Sequence, residues 1–180
     1  MEEKILFWLD AGYTQFGIAK FLKNILDSKF FAIVDTNKGK DFFENQKIVD
    51  VEKIWFYRDC FDLNKKININ FLTNFEKTYD LNLWKIIYSD VHFNKYNKFY
   101  KFNIENILLI VEQQIRFFEK IIEQIKPDFL IIRTTDYAKN QILHQMCKMK
   151  KIPILSLGHS RLGNKCIITE DNDLLDNQQK

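Results

Sequence analysis

The chain has 180 residues, 46% of them apolar, with 17 Phe, 7 Tyr and 3 Trp against only 5 Gly and 2 Pro. Such a composition suits one globular domain with a sizeable core and excludes fibrous, disordered and loop-rich classes. A net charge of +3, from 27 basic and 24 acidic residues interleaved along the chain, describes an ordinary solvated surface and lacks the basic footprint of a nucleic-acid binder.

Lys4 to Asp10 holds a continuous apolar run of strand length, as expected for a strand covered on both faces. After the turn Ala11 to Gln15, the residues Ile18, Phe21, Leu22, Ile25 and Leu26 recur at helical spacing and predict a helix reaching Ser28. Phe30 to Asp35 is a second strand ended by the turn formers Thr36 to Gly39, and Ile54 to Tyr57 a third, ended by Arg58 and Asp59. Strand, helix and strand in this order, with runs in place of alternation, indicate a parallel sheet with right-handed crossovers.

Leu63 to Lys101 mixes apolar residues with many Asn and predicts short, irregular helices. Ile104 to Ile125 carries the clearest stripe in the chain, a long amphipathic helix stopped at Pro127. Asp128 to Arg133 then predicts a buried strand, Thr134 to Asp136 a turn, Tyr137 to Lys150 a helix and Ile152 to Leu157 a last strand. The fold class is therefore α/β, a Rossmann-like three-layer domain with a mostly parallel sheet. Its expected extent is residues 1–168, with the polar stretch 169–180 as a tail or the start of a linker.

Cys60, Cys147 and Cys166 are far apart and form no CxxC pair, so neither a disulfide framework nor a zinc site is indicated. Glu2 and Glu3 precede the first apolar run, the reverse of a secretory signal, and no apolar stretch reaches the ~18 residues of a membrane span. The expectation is a cytoplasmic protein, with room for peripheral association with a membrane.

In open parallel sheets ligands gather outside the carboxyl ends of the strands. Three such ends are polar here: Asp10 to Gln15, Arg133 to Asp136, and Gly158 to Arg161. The turn containing Gly12 and Gly17 lacks the GxGxxG spacing, nothing matches GxxxxGK[ST], and no HExxH, His-Cys cluster or GxSxG is present, so no cofactor and no metal is implied. Arg133 could grip a carboxylate or phosphate, or form a structural ion pair with Asp136 or Asp10. Thr134, Thr135 and Asp136 precede a helix and suit capping, yet also a sugar or anionic ligand. His159 stands beside Ser160 and Arg161, an imidazole next to a fixed cation; His92 and His144 fit ordinary loop and helix positions.

Lys4 to Tyr13, Tyr79 to Trp84, Lys126 to Ile132, and Ile152 to Leu157 followed by Ser160 to Asn164 together resemble the N-terminal half of GT-B-type glycosyltransferases. The resemblance is closest to proteins of surface or capsular polysaccharide biosynthesis and spans most of the chain. It implies an acceptor-side domain, with a nucleotide-sugar donor held by a second α/β domain encoded past Lys180, so that this part alone is inactive. Gly12, Tyr13, Gln15, Arg133, Thr134, Thr135, Ser160 and Arg161 would face the substrate, and Asp136 or His159 would deprotonate the attacking hydroxyl. Two other functions remain open: a non-catalytic α/β binding or scaffolding module, and half of a sugar-nucleotide epimerase built on the same two-domain plan.

Overall fold

A computed structural model of the chain describes residues 2–94, 101–133, 137–159, 163 and 165–170, His159 by its backbone alone. Six strands form one sheet: β1 (Lys4–Asp10), β2 (Lys29–Asp35), β3 (Lys53–Phe56), β4 (Phe129–Arg133), β5 (Ile154–His159) and β6 (Cys166–Thr169). Their spatial order is β3-β2-β1-β4-β5-β6, parallel throughout except for the antiparallel β5–β6 pair. The fold is thus Rossmann-like α/β with a mostly parallel sheet.

Contacts divide the chain into two compact units. The sheet unit comprises Met1–Asp59, Ile125–Thr134 and Lys151–Lys180, and the helical unit Cys60–Gln124 and Thr135–Lys150. Within the sheet unit, Ile5, Phe7, Leu9, Phe30, Ala32, Val34, Ile131 and Leu157 bury one face of the strands together with Phe16 and Ala19 of α1 (Thr14–Lys23) and Phe43 of α2 (Lys40–Asn45). Leu6, Trp8, Ile33, Leu130 and Ile132, which alternate with them, are at most 2% exposed. Burial on both faces is why these strands read as unbroken apolar runs.

The α1 helix ends at Lys23, short of the expected Ser28. Ile18 and Leu22 pack on the core, whereas Phe21 and Ile25 remain 65% and 61% exposed, so the spacing had combined residues from two helix faces. With nothing gained by continuing, the last turn tightens: Asn24 and Ile25 donate their N–H groups to the carbonyls of Phe21 and Leu22 at 3.1 and 3.0 Å.

In the helical unit, α3 (Ile69–Tyr79), α4 (Leu83–Ser89) and α5 (Val91–Asn94) occupy the Asn-rich segment, where Asn68 and Asn82 accept from the Phe71 and Lys85 N–H groups as N-caps. The long α6 (Ile104–Ile125) buries Val111, Ile115, Phe118 and Ile121 completely. It also holds its neighbours by polar staples. Gln113 exchanges two hydrogen bonds with the backbone of Asp62, and Glu112 accepts from the Asn68 N–H at 2.6 Å. At the start of α7 (Ala138–Met149), the buried carboxylate of Asp90 accepts from the N–H of Ala138 at 2.6 Å and from that of His92 at 2.7 Å. Among the described residues, no helix is long and apolar enough to cross a membrane.

Candidate functional site at the strand ends

The strand order reverses direction between β1 and β4: the chain runs outward from β1 through β2 to β3, then starts again on the other side of β1. Such a switch point leaves a crevice outside the carboxyl ends of the two strands, where ligands of open α/β sheets bind. Asp10 ends β1 and Arg133 ends β4, and they meet there, Arg133 Nη1 lying 3.4 Å from Asp10 Oδ2. One strand further out the arrangement recurs, with Arg58 Nε 3.1 Å from the buried Asp35 carboxylate at the end of β2. Asp10 and Asp35 are register neighbours, so each carboxylate of the rim is matched by its own arginine.

The β1–α1 turn is built around Asp10. Its Oδ1 accepts the Gly12 N–H at 2.8 Å, and its carbonyl accepts the Tyr13 N–H at 3.3 Å. A Cβ on Gly12 would lie 3.0 Å from Asp10 Oδ1 and 3.8 Å from Arg133 Nη1, so close approach of these side chains, and no unusual φ, is what calls for glycine. Tyr13 follows in the left-handed region at φ 56° and ψ 2°, a conformation that costs a residue with a Cβ about 1–2 kcal/mol.

Tyr13 also precedes α1 without capping it by a side chain, while its carbonyl takes the Gly17 N–H. The first-turn N–H groups of Thr14, Gln15 and Phe16 therefore have no acceptor inside the helix, and they carry the positive end of its dipole.

Thr14, Gln15, Arg133, Leu157, Gly158 and Cys166 line a small pocket at this helix start, with a volume of about 20 Å³. Gln15 is 1% exposed, and its Oε1 is buried without a hydrogen-bond partner. An orphaned buried acceptor costs about 1–3 kcal/mol unless something donates to it. Chemically the pocket thus combines a guanidinium and a helix N-terminus, which favour an anionic oxygen, with the side chain of Gln15, whose buried amide oxygen lacks a donor. Its size suits one water-sized group, so a larger ligand would place a single oxygen here and extend outward.

Of the residues expected from sequence, Gly12, Gln15 and Arg133 come together at the β1–β4 crevice, while Tyr13 shares their turn with its ring stacked on Phe43. His159 closes β5, pairing with Cys166 of β6. Thr134, Thr135, Asp136, Ser160 and Arg161 lie outside the described residues. Sequence reasoning missed Cys166 as a wall of the pocket. The run Cys166-Ile-Ile-Thr169, β-rich and preceded by Gly163 and Asn164, carried a hairpin signal that would have placed it on the edge strand. Among the described residues, no cluster of His, Cys, Asp or Glu could hold a metal ion.

No protein-family model and no curated protein sequence matches the chain. Solved structures show weak similarity. A UDP-GlcNAc 2-epimerase from Methanocaldococcus jannaschii has 11% identity and a TM-score of 0.46 over 86% of this chain and 31% of its own. A protein described as a putative UDP-N-acetylglucosamine 2-epimerase from Listeria monocytogenes has 6% identity and a TM-score of 0.48, over 87% of this chain and 31% of its own. The UDP-GlcNAc 2-epimerase from Neisseria meningitidis bound to UDP-GlcNAc has 8% identity and a TM-score of 0.44, over 87% and 32%. The chain spans about a third of the length of these three proteins.

Proposed function

We propose that this chain is the acceptor-side α/β domain of a glycosyltransferase of surface or capsular polysaccharide biosynthesis, and that its strand-end pocket seats the anionic group of a phosphorylated sugar. The observation that carries the proposal is the pocket at the β1–β4 switch point, where Arg133 and the start of α1 stand beside the unpartnered Gln15 Oε1. A sugar phosphate offers what these groups ask for: phosphate oxygens for the guanidinium and the α1 amides, and a hydroxyl to donate to Gln15. Asp10 holds the guanidinium on the pocket wall, so the cation is in place before ligand arrives.

In this reading a second domain holds the nucleotide-sugar donor, and the acceptor hydroxyl attacks its anomeric carbon as the bond from that carbon to the nucleoside diphosphate breaks and the diphosphate leaves. Asp136 or His159 would take the proton of that hydroxyl, since both come after apolar strand runs in the sequence. The test is to incubate the full protein with UDP-GlcNAc, with and without glucose 1-phosphate as a phosphorylated acceptor, and identify products by mass spectrometry and NMR. A disaccharide phosphate formed only when acceptor is present supports the transferase. A C2 epimer formed from UDP-GlcNAc alone replaces it with the epimerase reading, and binding without turnover of either kind supports the non-catalytic module.

A further inference from the structure

Resting on the sugar-phosphate reading of the pocket, we infer that Tyr13 and Phe42 form an aromatic platform beside it that stacks against the pyranose ring of the same ligand. Four rings cluster at the start of α1 and α2. Tyr13 lies stacked on Phe43 with centroids 5.7 Å apart and planes at 15°, and Phe42 meets Tyr13 edge to face at 5.5 Å and 85°. Phe16 meets both phenylalanines edge to face, at 5.4 and 5.6 Å.

The cluster is buried on one side and open on the other. Phe43 and Phe16 are buried, at 1% and 8% exposure, whereas Tyr13 and Phe42 remain 42% and 38% exposed. One face of the Tyr13 ring covers Phe43, and the residue stays half open beside the equally half-open Phe42. Core packing accounts for the inner rings but not for a tyrosine kept half open, next to a second exposed ring.

Position selects the occupant. Tyr13 is followed directly by Thr14 and Gln15, which line the pocket, so the platform and the anion seat are built on three consecutive residues. A pyranose has a face of polarised C–H bonds, which suits the electron-rich face of an aromatic ring, and a rim of hydroxyls and phosphate that suits the pocket. An inorganic anion would use the pocket and ignore the platform. The left-handed backbone at Tyr13 is consistent with this division: glycine would relieve it, but would remove the ring.

The experiment is a set of NMR titrations of the full chain and of Tyr13→Ala, Phe42→Ala and Tyr13→Phe with glucose 1-phosphate, inorganic phosphate and uridine 5′-monophosphate, with circular dichroism melts to establish that each variant is folded. Expected are a loss of affinity for glucose 1-phosphate of about tenfold in Tyr13→Ala, a smaller loss in Phe42→Ala and retention in Tyr13→Phe, with inorganic phosphate unchanged in all three. Saturation transfer from aromatic protons to the sugar C–H protons is expected in the wild type and lost in Tyr13→Ala. Unchanged glucose 1-phosphate affinity in folded Tyr13→Ala overturns the platform and leaves the pocket standing, as does an equal loss for inorganic phosphate. A ring-dependent affinity seen for uridine 5′-monophosphate alone overturns the pyranose as occupant. Failure of the wild type to bind glucose 1-phosphate or inorganic phosphate overturns the pocket and the platform together.

Discussion

Arg133 and Asp10 join the carboxyl ends of β4 and β1 at 3.4 Å, and this pair fixes a cation on the wall of the strand-end pocket while the same aspartate shapes the β1–α1 turn. Both side chains are partly solvated, with 37% and 20% exposure, so the pair itself contributes about 1 kcal/mol or less to folding. Arg133→Ala should therefore shift the unfolding midpoint little and weaken binding of glucose 1-phosphate by at least about tenfold, as expected for loss of a charge-assisted contact to phosphate. Paired urea melts and calorimetric titrations check this. Affinity equal to wild type would confine Arg133 to its structural role.

Gln15→Met should separate ligand binding from stability in the opposite direction. Replacing an orphaned buried amide with an apolar side chain of similar volume removes a desolvation cost and should raise stability by roughly 1 kcal/mol, while weakening ligand binding. A urea denaturation series measures the first effect. A loss of stability above about 1 kcal/mol would mean that the amide is already satisfied in the unliganded protein.

The cysteines give a readout of the pocket. Cys166 is exposed on the pocket wall, whereas Cys147 is buried and its thiol is pushed up to about 12 by desolvation. At pH 8 roughly one Cys147 in ten thousand is thiolate, the reactive form, so a thiol reagent should label Cys166 first and Cys147 only after unfolding. Saturating glucose 1-phosphate should slow labelling of Cys166 severalfold, as followed by peptide mass mapping. Rapid labelling of Cys147 in the native protein would contradict its packing in α7.

Glu119 on α6 should show the pH dependence of a misplaced charge. Burial, and then the nearby Glu123, raise its pKa above the usual carboxylate value. A carboxyl with a raised folded pKa binds more protons folded than unfolded, so its contribution to stability falls as pH rises from the unfolded value through the folded one. Glu119→Gln should thus stabilise the protein at pH 7 and have less effect at pH 4. Its exposed portion screens the charge and keeps the gain under about 1 kcal/mol. Thermal melts of both proteins at the two pH values decide it; a variant less stable at pH 7 would reverse the sign.

Much of the sheet was legible because its strands are buried on both faces, so Lys4 to Asp10, Phe30 to Asp35 and Asp128 to Arg133 appear as runs that no amphipathic helix would produce. The short pieces were not. The α2 helix has six residues, too few for a period, and β6 is an exposed edge strand whose pairing with β5 depends on a contact across the sheet. Likewise the sequence marked Gly12, Tyr13, Gln15 and Arg133 as strand-end groups, but only the β1–β4 neighbour relation places Arg133 against Asp10. The left-handed Tyr13 was out of reach of sequence patterns, which assign such turns to Gly and Asn.

Whether the start of α1 and Arg133 seat a phosphorylated sugar is read out by backbone amide NMR during titration of the full chain with glucose 1-phosphate. Expected are saturable shifts centred on the Thr14, Gln15 and Phe16 amides, accompanied by the Arg133 side chain, with the midpoint at least about tenfold higher in Arg133→Ala. Saturable binding that leaves those amides unmoved, or no binding at millimolar ligand, would contradict it.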